Sequence, residues 1–570
     1  MKYKLVNKDI KKDYVYELLK SRGVENIQKF LNPSEDSLQS FEDLFNINIG
    51  VQLIKDTILN ELPYALIVDS DVDGFTSSTI LYKYLNRLNP NKEIEYFLHN
   101  GKQHGLEDMW EKLQDKNYSL IIIPDAASND SEYASKISTP ILVLDHHIVE
   151  GEIAAKNMVV INNQISPKYE NKNLSGAGMA YQFCRALDKA FCVNYADDFI
   201  DLAAVGVIGD MMSGLEIENQ FLWKKGLSSI NNFFLKTLID KQSYSIGGKI
   251  NPISIAFYIV PLINAMIRVG TQEEKERMFI AFIDGERQIP CNKRGAKGTF
   301  ERAAIESARE CTNAKAKQTR ILDTAEGQIE IKIYKYDLLE NKILLIRLEE
   351  DDTFPPELNG LLAMRMAAKY KRPTIVARLN DQGYIRGSIR GVNNGPIDSF
   401  KNFLTDSGYC EYVMGHDNAA GISIKNSDLE KLHCYANQKL ANIKLDEDCY
   451  DVNFVRAAAD TDICDIISNI VEYEDIWSQN NEEPRFYIHD INISQDDIQI
   501  IGKNKDTVKF TKFGITYIKF HAEDLIEELK QYKEIKMEVV GRGNINEWMG
   551  NITYQIMIEG YEVTDGALGF

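Results

Sequence analysis

The sequence ALIVDSDVDG at residues 65–74 decides the fold class of this chain. An apolar run is followed at once by Asp69, Asp71 and Asp73, and a helical pattern begins at Phe75. A buried strand that ends in carboxylates before a helix is typical of the ligand-binding edge of an α/β sheet. Three carboxylates this close repel one another unless a cation neutralises them. The stretch therefore predicts a cation site at the end of a strand.

An EF-hand calcium loop is the competing interpretation, because it also begins with D-x-D-x-D-G. The twelfth position of that loop carries a bidentate glutamate, whereas Ile80 stands there in this chain. The residues before Asp69 also have a strand pattern where an EF-hand has a helix. We therefore favour the sheet-edge site.

Two further apolar strands end in potential metal ligands. The first is followed by Asp125, and the second ends in Asp145, His146 and His147. A single strand-end aspartate is usually a helix cap, and a histidine beside an aspartate is usually a hydrogen-bonded structural residue. The combination is more informative, because parallel strands bring all these groups to one sheet edge. Asp210, after the apolar stretch AAVGVIG, is a weaker candidate of the same kind.

Composition excludes several classes of protein. The chain has 570 residues, a formal net charge of −20 and 44% hydrophobic residues, which fits soluble globular domains and argues against a basic nucleic-acid coat protein. The eight cysteines lack metal-ligand spacing, so we expect reduced thiols in the cytoplasm and no cysteine-bound zinc. We find no secretory signal and no apolar run that approaches the roughly 18 residues of a membrane span, so we expect no membrane partner.

Alternating strand and helix patterns predict an α/β protein of several domains. The first domain is expected to have a mostly parallel sheet, and the strand-rich tail is expected to form an OB-like β-barrel. We predict six segments: 1–48, an N-terminal helical segment; 49–285, the first α/β domain; 286–325, a basic connecting helix; 326–430, a second α/β domain; 431–480, a helical connection; and 481–570, the β-barrel.

The motifs D-x-D-x-D-G, strand-end Asp, D-H-H and a later G-D, in this order, resemble motifs I to IV of the DHH phosphoesterase superfamily. More narrowly, nearly the whole chain resembles the RecJ single-stranded-DNA exonucleases. PLINAMIR (261–268) is similar to the N-A-x-x-R stretch of that family. RGSIRG (386–391) and GHDNAAGISI (415–424) resemble its DHHA1 domain, and the tail resembles its OB-fold. The resemblance implies a DHH domain at 49–285 and a DHHA1 domain at 326–430.

The same resemblance implies a centre of two divalent cations, Mn²⁺ or Mg²⁺, and this mixture of carboxylates with an imidazole suits those ions better than Zn²⁺. Asp125 would bridge the two ions, and Asp69 would ligate or orient the first. Asp145 and His147 would be catalytic, His147 by contacting the scissile phosphate or acting as general acid. The implied metal ligands are Asp69, Asp71, Asp73, Asp125, His146 and Asp210.

A second implied group binds the phosphates of the strand. Residues 360–401 carry eight Lys or Arg against two acids, a local excess of positive charge inside an acidic chain. A solvated helix face is the alternative explanation for the lysines near 369–371. Arginine suits bidentate binding of a terminal phosphate. The implied phosphate-binding residues are Arg386, Ser388, Arg390, His416, Asn264 and Arg268.

The stretch FLHNGKQHGL (97–106) departs from the family pattern, which has an arginine before Gly-Tyr-Gly at this place. His99 or Lys102 would have to serve instead. The departure leaves the implied metal ligands intact and affects the expected details of strand entry.

The implied activity is metal-dependent 5′→3′ hydrolysis of single-stranded DNA to 5′-mononucleotides, in DNA repair, recombination or replication. One alternative is a phosphodiesterase on short oligoribonucleotides or cyclic dinucleotides. Another is a non-catalytic scaffold that binds single strands. Single-strand-binding or repair proteins are possible partners through the OB-like domain, and we expect a monomer.

Overall fold

The computed structural model divides into two compact units. One comprises Asn26–Thr319 and Asp475–Glu482; the other comprises Met1–Glu25, Arg320–Glu474 and Glu483–Phe570. We call them the catalytic unit and the C-terminal unit. The structure describes residues 1–8, 10–58, 60, 62–101, 103–296, 298–349, 353–392, 395–445, 448–548 and 550–566.

The catalytic unit is built on a parallel sheet of five short strands. All neighbouring strands pair in parallel, which confirms the predicted sheet type. Three of the strands, at 64–68, 120–124 and 141–145, are buried along their whole length, as expected where helices cover both faces. The strand order is Ile94–Leu98, Tyr64–Val68, Leu120–Pro124, Ile141–Asp145 and Met158–Asn162.

Helices cover this sheet and make up most of the rest of the catalytic unit, including most of residues 176–285. The helices Val72–Leu88, Gly176–Phe191 and Ile200–Gly209 pack against one another. The remaining α-helices are Ile27–Leu31, Ile47–Ile58, Trp110–Leu113, Ser131–Ala134, Ile217–Ser228, Phe233–Lys241, Ser243–Ile246, Pro252–Ser254, Val260–Val269 and Gln272–Ile283, with 3-10 turns at Glu35–Ser37, Phe41–Asp43 and Ala196–Phe199.

The stretch Pro252–Val269 corrects one expectation. It is long and apolar enough to cross a membrane by length and composition alone, with a mean hydropathy of 1.6 over 18 residues. The expectation that no apolar run approaches this length was therefore wrong. The stretch is 61% buried inside the protein, and its middle, Ile255–Ile259, is π-helical. The buried core helix of a soluble protein passes the same test, so this single stretch is weak evidence for a membrane span.

The connecting helix lies at Ala303–Lys335 rather than at 286–325. It is preceded by an antiparallel hairpin of Gln288–Pro290 and Phe300–Arg302. The helix continues through the stretch IEIKIYK, which we expected in the second α/β domain. The reason is its period: Leu322, Ala325, Ile329 and Ile333 are buried at spacings of three and four residues, which is one face of a helix.

A short segment late in the sequence completes the catalytic unit. Residues Asp475–Glu482 return to it, and the backbone N–H of Gly214 donates to the carbonyl of Gln479 at 2.7 Å. The buried side chain of Gln220 donates to the carbonyls of Gly214 and Ile476. These bonds satisfy polar groups that would otherwise be buried alone, so the segment is an integral part of the unit.

The C-terminal unit contains a mixed sheet of five strands. Four strands pair antiparallel, and the last pair is parallel. The strand order is Cys410–His416, Ala419–Lys425, Tyr384–Arg390, Thr374–Leu379 and Leu344–Leu348. The accompanying helices are Asn359–Tyr370, Phe400–Asp406 and Leu429–Lys439, with 3-10 turns at Leu338–Glu340, Pro356–Leu358 and Asn426–Asp428.

A second sheet, of seven strands, forms most of the tail and confirms its strand-rich character. The strand order is Phe454–Ala457, Arg485–Ser494, Glu534–Trp548, Asn551–Asp565, Ile515–Lys519, Thr507–Lys512 and Gln499–Ile501. The helices Tyr14–Ser21, Ile463–Glu472 and Glu523–Leu529 and a 3-10 turn at Gln495–Asp497 belong to the same unit.

Two segments expected to be helical also contain strands. In the N-terminal segment, Lys2–Leu5 forms a strand that pairs in parallel with Cys449–Val452. The interval 431–480 contains that partner strand and Phe454–Ala457 besides its helices. Pairing between residues so far apart in the chain leaves no local periodic signal, and this is why the sequence pattern missed it.

Candidate metal centre and phosphate-binding residues

The three motif I carboxylates stand where the central strand Tyr64–Val68 turns into the helix Val72–Leu88. Asp71 caps that helix, because its Oδ1 accepts a 2.9 Å hydrogen bond from the N–H of Gly74. A Cβ at Gly74 would lie 2.5 Å from the Cβ of Asp69, so only glycine fits at this turn. The turn therefore holds Asp69 and Asp71 at the carboxyl end of the strand.

Asp73 is fixed by the N-terminus of the helix Gly176–Phe191. Its Oδ1 accepts from the hydroxyl of Ser175 at 2.9 Å and from the N–H of Ala177 at 3.0 Å, and its Oδ2 accepts from the N–H of Gly176 at 2.6 Å. The positive end of the helix dipole favours a negative charge here. A side chain at Gly206 would collide with Asp73, and this glycine is therefore part of the site.

Asp125 follows its strand in a left-handed backbone conformation, with φ of 67°. A Cβ at Gly176 would lie 2.5 Å from Oδ1 of Asp125, so glycine is required beside it. Nε2 of His146 lies 3.1 Å from that Oδ1, 3.5 Å from Oδ2 of Asp210 and 3.9 Å from Oδ2 of Asp73. The structure thus brings together groups from two strand ends and two helices.

The ligand atoms form three overlapping groups, each with all atoms within 4.8 Å of one another. Asp125 belongs to two of them, and His146 also belongs to two. The groups are Asp69, Asp71 and Asp125; Asp73, His146 and Asp210; and Asp125, Asp145, His146 and His147.

The electrostatics of the cluster fit divalent cations. Burial, followed by the charges of Asp73 and Asp71, raises the pKa of Asp125 well above its usual range, and burial and the same neighbours raise that of Asp210. Burial and Asp71 raise the pKa of Asp73 to about 6. Burial lowers the pKa of His146 to about 4, which leaves its imidazole neutral and able to ligate a metal. A bound cation would relieve the repulsion among the carboxylates.

Unsatisfied atoms at the centre support the same conclusion. Within the part of the chain that the structure describes, Oδ1 of Asp69, Oδ1 of Asp125 and Nε2 of His146 are buried without a hydrogen-bond partner. Such atoms are costly unless an ion or a water molecule satisfies them. Carboxylate oxygens with one imidazole are the donors that Mn²⁺ and Mg²⁺ accept.

Asp145 uses both carboxylate oxygens for hydrogen bonds to the D-H-H loop and to the neighbouring Ser128. Its Oδ1 accepts from the N–H of His146 at 2.7 Å and from Nδ1 of His147 at 2.8 Å, and its Oδ2 accepts from the N–H of Ser128 at 3.0 Å. Burial opposes ionisation of Asp145, but the hydrogen bond and charge of His147 outweigh it and lower the pKa. The side chain of His147 is 58% exposed, so its outer edge faces solvent.

One histidine at this site was missed by sequence reasoning. Nδ1 of His104 lies 2.6 Å from Oδ2 of Asp69, and Nε2 of the fully buried His99 lies 3.9 Å from Oδ1 of the same aspartate. His104 sits in an irregular loop, and only its proximity to His99 in the sequence hinted at a shared site. Lys102, the other residue expected to serve here, lies outside the described residues.

Asn264 and Arg268 lie one turn apart on the helix Val260–Val269 of the catalytic unit. Burial lowers the pKa of Arg268, and the charge of Asp71 opposes that shift. This places one predicted phosphate-binding residue within electrostatic range of the predicted ligands.

The other predicted phosphate-binding residues lie on the mixed sheet of the C-terminal unit. Arg386, Ser388 and Arg390 alternate along one strand with the fully buried Ile385 and Ile389, so they share the opposite face. Arg390 and His416 both pair with Ala419, which places them in one row of the sheet, two strands apart. This row presents two basic side chains on one face.

Residues 64–207 match the DHH family, N-terminal domain, and residues 466–560 match the RecJ OB domain. The first match contains the strand ends that carry motif I, Asp125 and the D-H-H sequence. The parallel sheet with this acidic cluster at its edge therefore defines a DHH-family protein.

Two relatives that match nearly the whole of this chain identify a narrower family. YorK, an SPbeta prophage-derived protein of Bacillus subtilis (strain 168) that bears the name single-strand DNA-specific exonuclease, is 37% identical over 99% of this chain and 98% of its own length. The single-stranded-DNA-specific exonuclease RecJ of the same organism is 23% identical over 97% of this chain and 68% of its own length. This chain belongs to the RecJ-like single-strand DNA-specific exonucleases of the DHH family.

The fold agrees with that assignment. A crystal structure of RecJ from Thermus thermophilus in complex with Mn²⁺ matches with a TM-score of 0.71 at 19% identity, covering 95% of this chain and 74% of that chain. A second crystal structure of that protein is a complex with Mg²⁺. At this identity the likeness supports the fold alone.

Proposed function

We propose that this chain is a 5′→3′ exonuclease that hydrolyses single-stranded DNA to 5′-mononucleotides with the help of two divalent cations, Mn²⁺ or Mg²⁺. The observation that carries the proposal is the buried cluster of carboxylates with unsatisfied oxygens and a neutral His146, at the sheet edge of a RecJ-like protein. Such a cluster is built to hold positive charge.

The family resemblance implies the ligand assignment, and membership in the clusters supports it. Asp71, Asp73, Asp125, His146 and Asp210 would hold the two ions, and Asp125 is suited to bridge them because it belongs to two groups. When bound, a pair of such ions makes hydroxide available near neutral pH and stabilises charge on the attacking and leaving oxygens at phosphorus. Asp69 would orient or ligate the first ion.

His147 is suited to meet the substrate. Asp145 accepts the proton on Nδ1, which fixes the ring and leaves Nε2 on the exposed edge. From there, Nε2 can donate a hydrogen bond to the scissile phosphate or a proton to the leaving oxygen. Asp145 then acts through His147, as a carboxylate that fixes the orientation and tautomer of its partner.

The strand end is proposed to bind to basic and polar side chains. Ser388 and Arg390, with Arg386 nearby, would hold the terminal phosphate, because a guanidinium binds phosphate oxygens in pairs. His416 shares a row of the sheet with Arg390. Asn264 and Arg268 would contact a phosphate close to the metal cluster.

Further proposals concern the setting of the activity. We infer that the enzyme works in the cytoplasm, since all eight cysteines are free thiols. We also infer a role in repair, recombination or replication, a monomeric state, and a tail domain that binds either the strand or a repair protein. An OB domain suits single strands, because it combines a basic groove with stacking surfaces.

The test uses purified protein, Mn²⁺ and two matched single-stranded DNAs labelled at either end, beside a blunt duplex. We expect early release of a labelled mononucleotide from the 5′-labelled strand alone. Asp73→Ala and His146→Ala should abolish release while the fold persists, and the exposed Asp115→Ala should behave as wild type. Faster cleavage of dinucleotides than of long strands would support the oligoribonucleotide alternative. Strand binding in EDTA without any hydrolysis in Mn²⁺ would support the scaffold.

A further inference from the structure

Each carboxylate oxygen of Asp69 faces a histidine. Oδ2 lies 2.6 Å from Nδ1 of His104, which is a short charge-assisted hydrogen-bond distance. Oδ1 lies 3.9 Å from Nε2 of His99. Among the described residues, both Oδ1 of Asp69 and Nε2 of His99 lack a hydrogen-bond partner, although both are buried. The two imidazoles therefore approach the carboxylate from its two oxygens.

Asp108 fixes the orientation of His99 from the side of the ring that faces away from Asp69. Its ring is fully buried, and its Nδ1 lies 2.7 Å from Oδ1 of Asp108. Nε2, the other ring nitrogen, faces Asp69. Asp108 thus sets the direction of the ring.

The loop that carries His104 is also fixed. The next residue, Gly105, has φ of 66°, and a side chain there would collide with Asp130. Oδ2 of Asp130 accepts a 2.7 Å hydrogen bond from the N–H of Leu106, whose side chain is fully buried. The hydrogen bond to Asp130 and the buried side chain of Leu106 therefore fix the turn that places His104 beside Asp69.

The two histidines act on the carboxylate rather than on an ion. The ligand atoms that lie within 4.8 Å of one another around this aspartate belong to Asp69, Asp71 and Asp125. Residues that hydrogen-bond a metal ligand fix its direction and raise its affinity for the metal.

We propose that His104 and His99 form a clamp on Asp69 that sets the affinity of the first cation site. They are positioning residues, which act through Asp69. This inference rests on the proposed metal-dependent function and deepens it, because it identifies what controls metal loading in the loop that departs from the family pattern.

The test measures Mn²⁺ binding directly, from the electron paramagnetic resonance signal of free Mn²⁺ during titration of the purified full-length protein. We expect His104→Ala to weaken Mn²⁺ binding about 10- to 100-fold, the usual range for losing such a partner. His104→Asn should recover most of the affinity, since its amide nitrogen can replace Nδ1 as donor. His99→Asn, which keeps a donor toward Asp108, should weaken binding as well. His521→Ala, at an exposed histidine of the C-terminal unit, is the matched control.

Nuclease assays across Mn²⁺ concentrations supply the second readout. The midpoint for His104→Ala should shift upward by the same factor, with a rate near wild type once Mn²⁺ saturates. Unchanged Mn²⁺ affinity in folded His104→Ala and His99→Asn would overturn the clamp. A wild type that binds Mn²⁺ but cleaves no strand would overturn the proposed nuclease function, and the titrations would still decide the clamp. A wild type that binds no Mn²⁺ would overturn both.

Discussion

Nε2 of His146 lies 3.1 Å from Oδ1 of Asp125, and neither atom has a hydrogen-bond partner in the part of the chain that the structure describes. Burial lowers the pKa of the histidine to about 4 and raises that of the aspartate. The imidazole is therefore neutral, and its ring nitrogen and the carboxylate oxygen are both available as ligands. A shared cation would stabilise two buried atoms in this relation.

Asp125→Asn should separate metal binding from folding. In EDTA the variant should unfold at a higher temperature than wild type, because the amide removes a buried like-charge repulsion. Wild type should gain about 2.7 kcal/mol from Mn²⁺ at a hundredfold excess over Kd, and the variant should gain much less. Thermal unfolding with and without Mn²⁺ measures both effects, and Asp115→Asn serves as the surface control. Equal stabilisation of Asp125→Asn and wild type by Mn²⁺ would contradict the ligand assignment.

Gly206→Ala should damage the metal centre. Its new methyl group would collide with Asp73 and with Ala177 at the helix N-terminus that holds Asp73. We expect either a loss of stability of several kcal/mol, by overpacking, or loss of Mn²⁺ binding with the fold retained. Gly327→Ala is the matched control, because its methyl group would meet nothing within 4 Å in the middle of the long helix. The control should be stabilised by up to about 1 kcal/mol in chemical denaturation. A Gly206→Ala protein as stable and as Mn²⁺-competent as wild type would count against this role of the glycine.

Arg390→Lys should weaken recognition of the strand end. Lysine keeps the charge but loses the planar pair of donors that fits a phosphate. We expect KM for a 5′-phosphorylated single strand to rise about tenfold, with a smaller change for a 5′-hydroxyl strand. Steady-state kinetics on the two substrates measure the difference. Lys431→Gln, at an exposed ion pair of the same unit, should leave both values unchanged. An equal rise for both substrates would place Arg390 outside the terminal phosphate site.

Glu483→Gln should remove a pH-dependent loss of stability of the C-terminal unit. Burial raises the pKa of Glu483 from 4.5 to about 7, with further contributions from Glu559 and Glu474 and opposition from Arg542. Between these two values the folded state keeps a proton that the unfolded state has lost. The contribution of Glu483 to the free energy of unfolding is therefore greatest below pH 4.5 and falls as the pH rises toward 7.

The variant should match wild type in thermal unfolding at about pH 4 and unfold at a higher temperature at about pH 8, where the wild-type carboxylate is charged. Glu482→Gln, at the exposed neighbouring residue, is the control. A difference between Glu483→Gln and wild type that is the same at both pH values would show that ionisation of Glu483 is not its cause.

The strand ends were predictable from the sequence because burial on both faces produces continuous apolar runs. LIIIP and ILVLD have this form, and each run points to a candidate site residue at its end, Asp125 in one case and Asp145 in the other. The gathering of the acidic groups at one edge followed from parallel pairing. Most of the candidate metal site could therefore be read from strand positions alone.

What the sequence pattern missed either lacks a local period or has an ambiguous one. We expected IEIKIYK in the second α/β domain, but Ile329 and Ile333 are buried as an i, i+4 pair of the long helix. His104 lies in a turn, where neither helical nor strand spacing marks a functional side chain. The strand Lys2–Leu5 depends on a partner strand, Cys449–Val452, which no local window of sequence contains.

The return of Asp475–Glu482 to the catalytic unit has a consequence for synthesis on the ribosome. The acceptors that Gly214 and Gln220 need are translated long after Thr319, the last residue of the unit's main segment. At about 5–20 residues per second, the nascent unit waits roughly 8–30 s before its last segment exists. During that interval the unit that carries the candidate metal centre lacks its last segment, and a chain truncated before residue 475 never acquires that segment.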